Sequence, residues 1–167
     1  MKPQLQTKRL ILHATSTDNF DVLYHILTDD YVKEYLCDGE TLSHKQVEAF
    51  ITQSEETFKN RSYGLWLLKM RESGDIIGFA GLWDFFDEVQ PQLLYALLPE
   101  FAGEGFATEA SRAIIHYAFR NLGYSYLLAS FDVSNTNSKR MVERLGMEKV
   151  KEEIIDAKPI AFYRLER

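Results

Sequence analysis

The stretch LLYALLPEFAGEGFATEA, Leu93 to Ala110, constrains this chain more than any other. An apolar run from Leu93 to Leu98 is cut by Pro99. A loop of small residues follows, with Gly103 and Gly105 two apart, and a helical pattern begins at once. A strand, a glycine loop and a helix N-terminus together suit a phosphate group. Glycines let backbone N–H groups approach an anion, and the first helical turn leaves N–H groups unpaired beside a partial positive charge.

The remaining sequence supplies a sheet to support that turn. At 167 residues and 46% apolar composition the chain is expected to form one domain, residues 1–167, with a buried core. Its net charge of −6, without a Lys/Arg block, argues against a nucleic-acid partner. The single cysteine, Cys37, excludes an internal disulfide and fits a reducing, cytoplasmic compartment. No apolar run approaches the ~20 residues of a membrane span, and the polar start MKPQLQTKR does not resemble a signal peptide, so no membrane association is expected.

In chain order, Arg9 to His13 reads as a short strand. A helix follows, with Phe20, Leu23, Ile26 and Leu27 on one face, and Tyr31 to Leu36 adds another helical turn or two. Ser43 and Gln46 form a capping box for a helix burying Val47, Phe50, Ile51 and Phe58. YGLWLLKM (Tyr63 to Met70) and IIGFAGLW (Ile76 to Trp83) predict a hairpin, and Leu93 to Leu98 the third strand of the meander. The helix from Gly105 to Asn121 should turn Ala107, Ala110, Ile114, Tyr117 and Ala118 inward, before a parallel strand at Tyr126 to Phe131. A helix opened by Asn135 and two strands, Met147 to Ile154 and Ile160 to Leu165, complete the pattern. The expected fold is a mixed α/β, mostly antiparallel sheet of six to seven strands with helices on both faces. The strands at Leu93 and Tyr126 should part after a shared start, leaving a ligand crevice at their C-terminal ends.

Four blocks in order, TKRLILH, IIGFAGLW, YALLPEFAGEGFATEA and NTNSKRMVERLGM, make the chain resemble the GNAT acetyltransferase superfamily. The likeness is to the branch that includes the ribosomal-protein N-terminal (Rim-type) acetyltransferases. The resemblance implies acetyl-CoA as donor and a GNAT-like sheet with a splayed central parallel pair. It assigns the CoA pyrophosphate to N–H groups of Ala102, Gly103, Glu104, Gly105, Phe106 and Ala107, with Thr108 beside the same oxygens. It assigns the pantetheine arm to strand backbone at Leu97 and Leu98 and to Asn135. A bulge near Leu97 would aim an N–H at the thioester carbonyl in the manner of an oxyanion hole. Ser138 matches the serine near the leaving sulfur, and Lys139 and Arg140 could meet the 3′-phosphate. Two departures stand in the loop: Glu100 replaces the usual Gln or Arg, and Glu104 stands where a basic residue is common. Carboxylates there repel phosphate, leaving the backbone to carry the binding.

Acetyl transfer needs a neutral amine. At pH 7 an α-amino group of pKa about 8 is neutral roughly 10% of the time, a lysine far less. The position of the family's usual glutamate base holds Gln92, and that of its tyrosine acid holds Val142. Orientation and carbonyl polarisation at Leu97 remain. Ser138 either donates to the leaving thiolate or only caps its helix. Glu34, Asp84 and Asp132 are candidate bases. Glu109 is expected to brace the loop, and Asp38, Glu40, Asp84, Asp87 and Glu88 form either a solvated rim or an attraction for a cationic amine. The four histidines lack metal-ligand spacing, so no metal is expected, and Cys37 lacks a nucleophile's partners. The expected activity is N-acetyl transfer from acetyl-CoA to a primary amine, either a protein N-terminus or a small amine, by a monomer or homodimer. The alternative is a CoA-binding module without turnover. A dinucleotide fingerprint fails because Thr108 replaces its third glycine.

Overall fold

The computed structural model describes residues 2–167. Its strands are β1 (Leu5–Gln6), β2 (Leu10–Ala14), β3 (Leu65–Met70), β4 (Ile76–Trp83), β5 (Gln92–Leu97), β6 (Tyr126–Asp132), β7 (Glu148–Ile155) and β8 (Lys158–Glu166). Its α-helices are α1 (Phe20–Thr28), α2 (Asp30–Leu36), α3 (His44–Arg61), α4 (Phe106–Arg120) and α5 (Thr136–Arg144). All the strands join one sheet in the order β1-β2-β3-β4-β5-β6-β8-β7, antiparallel except for the β5–β6 pair. The sheet thus exceeds the expected six to seven strands. Its extra member, β1, is two residues pairing Leu5 with Leu12 and Gln6 with Ile11, too short for alternation to reveal it.

The central strands are apolar on both faces because helices cover both. Alternation sends Trp66, Leu68, Ala80 and Leu93 into one core, where they meet Phe106, Ala110, Ile114 and Ala118 of α4 and Met141 and Val142 of α5. The opposite residues, Leu65, Leu67, Phe79, Leu94 and Ala96, meet Leu23, Ile26 and Leu27 of α1, Val32 of α2 and Val47 and Ile51 of α3. Ala107 and Tyr117, expected inside, are only half-buried. Close strand packing sets one residue choice directly: a Cβ on Gly78, opposite Leu97, would fall 2.1 Å from the Ala96 carbonyl oxygen.

Local chemistry starts the helices where the sequence places them. At α3, Gln46 N–H donates to Ser43 Oγ at 3.2 Å and Ser43 N–H to Gln46 Oε1 at 2.8 Å, completing the capping box. The Asp29 carboxylate accepts from the Tyr31 and Val32 N–H groups and opens α2. Helix α4 begins at Gly105, whose φ of 83° is the left-handed conformation glycine adopts without a Cβ penalty.

Candidate active site

The site is the gap between β5 and β6. These parallel strands share one pair, Gln92 with Leu128, and then diverge. On its other edge β5 pairs with β4 in constant register from Gln92–Trp83 to Leu97–Gly78, and Leu98 N–H continues it, donating to Ile77 O at 2.9 Å. Antiparallel pairs alternate between hydrogen-bonded and non-bonded. With Leu98 bonded toward β4, Ala96, Leu94 and Gln92 face the same way, and the peptide groups of Tyr95 and Leu97 turn toward the gap. The bulge expected near Leu97 is therefore not present. Register shifts lie instead at Leu68/Lys69 and Lys149/Lys151, and ordinary alternation aims the Leu97 N–H at the gap.

A cavity of about 550 Å³ fills this gap. Tyr95, Leu97, Asn135, Ser138 and Val142 line it, together with Tyr31 and Tyr35 of α2, Phe85, Phe86 and residues of the β7–β8 turn. The structure thus brings Leu97, Asn135 and Ser138 into one space. Leu98 is buried in the core, and the residues from Ala102 to Thr108, with Lys139 and Arg140, lie outside the cavity lining.

After β5, a short 3₁₀ turn over Pro99–Phe101 leads into exposed Ala102, Gly103, Glu104 and Gly105. No side chain caps α4, which leaves its first N–H groups available to an anion. Arg9, unforeseen as a site residue, buttresses this turn. Its guanidinium lies 4.1 Å over the Phe106 ring, donates through Nη1 to the Glu104 carbonyl at 3.0 Å and pairs through Nε with Glu109 at 2.7 Å. A trans peptide points its C=O and N–H oppositely, so fixing the Glu104 carbonyl toward Arg9 turns the Gly105 N–H outward. Glu109 also accepts from Thr7 Oγ1 at 2.6 Å and Arg9 N–H at 2.8 Å, bracing the loop as expected. Partial burial opposes ionisation of this carboxyl, but the Thr7 and Arg9 donors outweigh it and hold its pKa below the ordinary range.

Asn135 Oδ1 accepts the Ser138 N–H at 3.1 Å and so caps α5. The Ser138 hydroxyl is 3.1 Å from Tyr95 OH, a contact that the sequence reading did not anticipate. Burial pushes the Tyr95 phenol up. Its signal was the strand period, which puts Tyr95 on the same face as Leu93 and Leu97. Gln92 is fully buried, accepts from Ser130 Oγ and donates to the Phe85 carbonyl at 3.3 Å. It ties both strands of the junction to the cleft-wall loop. Val142 is a buried apolar group.

The candidate bases separate. Asp84 is taken up by Arg61 at 2.7 Å and Tyr63 OH at 3.0 Å, outside the cavity lining. Glu34 also lies outside the lining, whereas Asp132 lies in it together with Asp38. Lys158 spans these two, 2.7 Å from Asp38 and 4.0 Å from Asp132. Among the described residues no group of three His, Cys, Asp or Glu side chains is placed to hold a metal, and no helix is long and apolar enough to cross a membrane. Burial first, then the Asp38 charge, raises the Cys37 thiol, the opposite of an activated nucleophile.

Comparison with known proteins agrees with this fold. The sequence model of the acetyltransferase (GNAT) domain matches residues 9–148. YnaD of Bacillus subtilis (strain 168), described as an uncharacterized N-acetyltransferase, is 22% identical over 87% of this chain and 82% of its own. An acetyltransferase structure from Agrobacterium tumefaciens strain C58 superposes with a TM-score of 0.83 at 20% identity, covering 99% of this chain and 95% of that one. RimL, a ribosomal L7/L12 alpha-N-protein acetyltransferase solved in complex with coenzyme A, gives 0.81 at 14% identity, covering 98% of each chain.

Proposed function

The chain belongs to the acetyltransferase (GNAT) domain family, and we propose that it moves acetyl from acetyl-CoA directly to a primary amine, on a protein N-terminus or a small molecule. One observation carries the reading: the open β5 edge at Tyr95 and Leu97 faces a cavity holding Asn135 and Ser138 and runs straight into an uncapped glycine turn. An extended pantetheine arm suits that edge as an added strand would. The pyrophosphate would take N–H groups between Ala102 and Thr108, oriented from behind by Arg9, with Lys139 and Arg140 toward the 3′-phosphate. Asn135 uses its side-chain oxygen as a helix cap, leaving its NH₂ group to donate to the arm.

In this reading the amine nitrogen attacks the thioester carbonyl carbon, and the Leu97 N–H takes the developing oxyanion. The C–N bond forms, the C–S bond breaks with its electron pair on sulfur beside Ser138, and the surplus amine proton goes to water. Positioning and carbonyl polarisation supply the rate, since Gln92 is locked in hydrogen bonds and Val142 has no proton to give. The cavity also has aromatic walls, and its Asp38 and Asp132 carboxylates outnumber the one Lys158 ammonium that spans them, a setting suited to a cationic amine on an apolar body.

The test is free-thiol release from acetyl-CoA against N-terminal peptides, polyamines and amino acids. Saturable release with any amine supports transfer. Saturable acetyl-CoA binding without release across the panel replaces it with a CoA-binding module, the reading that Gln92 and Val142 would then explain.

A further inference from the structure

Two hydroxyls meet across the seam of the cleft. Tyr95 comes from β5 and Ser138 from the first turn of α5, 43 residues apart, and their oxygens lie 3.1 Å from each other. The Ser138 backbone is fixed by the Asn135 cap. Among the described residues the Tyr95 phenol has no hydrogen bond except this one, so the fold does not need its oxygen elsewhere. We propose that Tyr95 is a positioning residue for acyl transfer, its O–H donating to Ser138 Oγ so that the Ser138 hydrogen points at the departing sulfur. The proposal rests on the acetyl-transfer reading above.

A serine hydroxyl is a free rotor with one hydrogen and two acceptor sites. Without ligand, either hydroxyl can donate across the Tyr95–Ser138 contact. Collapse of the tetrahedral intermediate breaks the C–S bond and leaves the electron pair on sulfur. That negative charge favours the arrangement in which Ser138 donates to sulfur and accepts from Tyr95. Hydrogen bonds to an ionised acceptor are the stronger kind, and a chain of two polarises both members. No proton leaves Tyr95: burial pushes the ionisation of its phenol upward, so it stays a neutral donor. Amine and thioester give amide, CoA thiolate and a proton to water, and the hydroxyl pair ends as it began. Because Tyr95 stands on a paired strand, the alignment is built before substrate arrives.

Tyr95→Phe removes only the oxygen and keeps the ring. With the best amine of the panel, kcat should fall about tenfold, the size of one charge-assisted hydrogen bond, while KM for acetyl-CoA stays within about twofold. Ser138→Ala should fall at least as far. The double variant should be no slower than Ser138→Ala, because Tyr95 acts only through it. A second readout needs no acceptor: the ultraviolet thiolate absorbance of CoA bound to the protein, titrated with desulfo-CoA as blank. The bound thiol should ionise about one pH unit lower in the unmodified protein than in either variant. The other titratable groups lining the cavity, Asp38, Asp132, Asp156, Lys158, Tyr31 and Tyr35, are common to all three proteins and cancel in the difference. Unchanged kcat and thiol titration in Tyr95→Phe would overturn the proposal, and so would a double variant slowed by the product of the two single effects. If Ser138→Ala also turns over normally, the role given to Ser138 under the transfer reading fails as well. If no amine releases thiol, the titration alone decides. Thermal melts of each variant separate these effects from misfolding.

Discussion

Gln92 stands at the β5–β6 junction and brings no base's chemistry to it. Its amide accepts from Ser130 and donates to the Phe85 carbonyl, work that a carboxylate could do only by half. Gln92→Ala should cost about 1–3 kcal/mol in denaturant melts, because buried polar partners are left without hydrogen bonds. Arg9 acts at a similar remove from the chemistry. Arg9→Ala frees the Glu104 carbonyl, and the acetyl-CoA dissociation constant by calorimetry should rise about tenfold, or ~1.4 kcal/mol, with kcat at saturating donor held. The Glu109 clasp brings its own pH dependence. Its pKa is depressed in the folded protein, so its contribution is full above the unfolded carboxylate value near ~4.3 and is lost as pH falls through the lower folded value. Glu109→Gln should therefore flatten the acid limb of stability below about pH 4.3 in melts run as a pH series.

At the scale of elements, what was legible is what is local. The Ser43–Gln46 box, the glycines around α4 and the β3–β4 hairpin all follow from residues within a few positions of one another, whereas the parting of β5 from β6 was expected from topology and from the resemblance. The Tyr95–Ser138 contact and the Arg9–Glu104 and Arg9–Glu109 contacts join residues 43, 95 and 100 positions apart, so no periodicity reports them. The expected bulge at Leu97 was borrowed from a resemblance, and the alternation of the β4–β5 ladder removes any need for it. Sheet closeness made a further demand. Gly78→Ala sets a methyl against the Ala96 carbonyl, and a loss of about 3 kcal/mol or an insoluble product is the expected outcome of expression and thermal melting. Gly103, by contrast, has nothing near its would-be Cβ, so its constraint is the left-handed φ of 81° alone.

At the scale of the molecule, the sheet is two ladders, β1 to β5 and β6 to β8, whose backbones share one paired position, Gln92 with Leu128. Hydrogen exchange should locate the ligand there: saturating acetyl-CoA should slow the amides of Tyr95 and Leu97 and leave those of Ala96 and Leu94, already paired with β4, unchanged. The outer edges are guarded differently. Strand β1 is only two residues long, and β7 carries Glu148, Lys149, Lys151, Glu152 and Glu153 exposed to water, which discourages pairing with another chain. The interior edge at the seam has no such guard, for it is the one that must stay adhesive. A pantetheine arm lying there would be the sheet's missing rung, adding backbone pairing between two ladders that otherwise share one paired position. Loading the donor and stiffening the protein would then be the same event, and each departing CoA would return the sheet to its looser form, so the molecule's rigidity would rise and fall once per turnover.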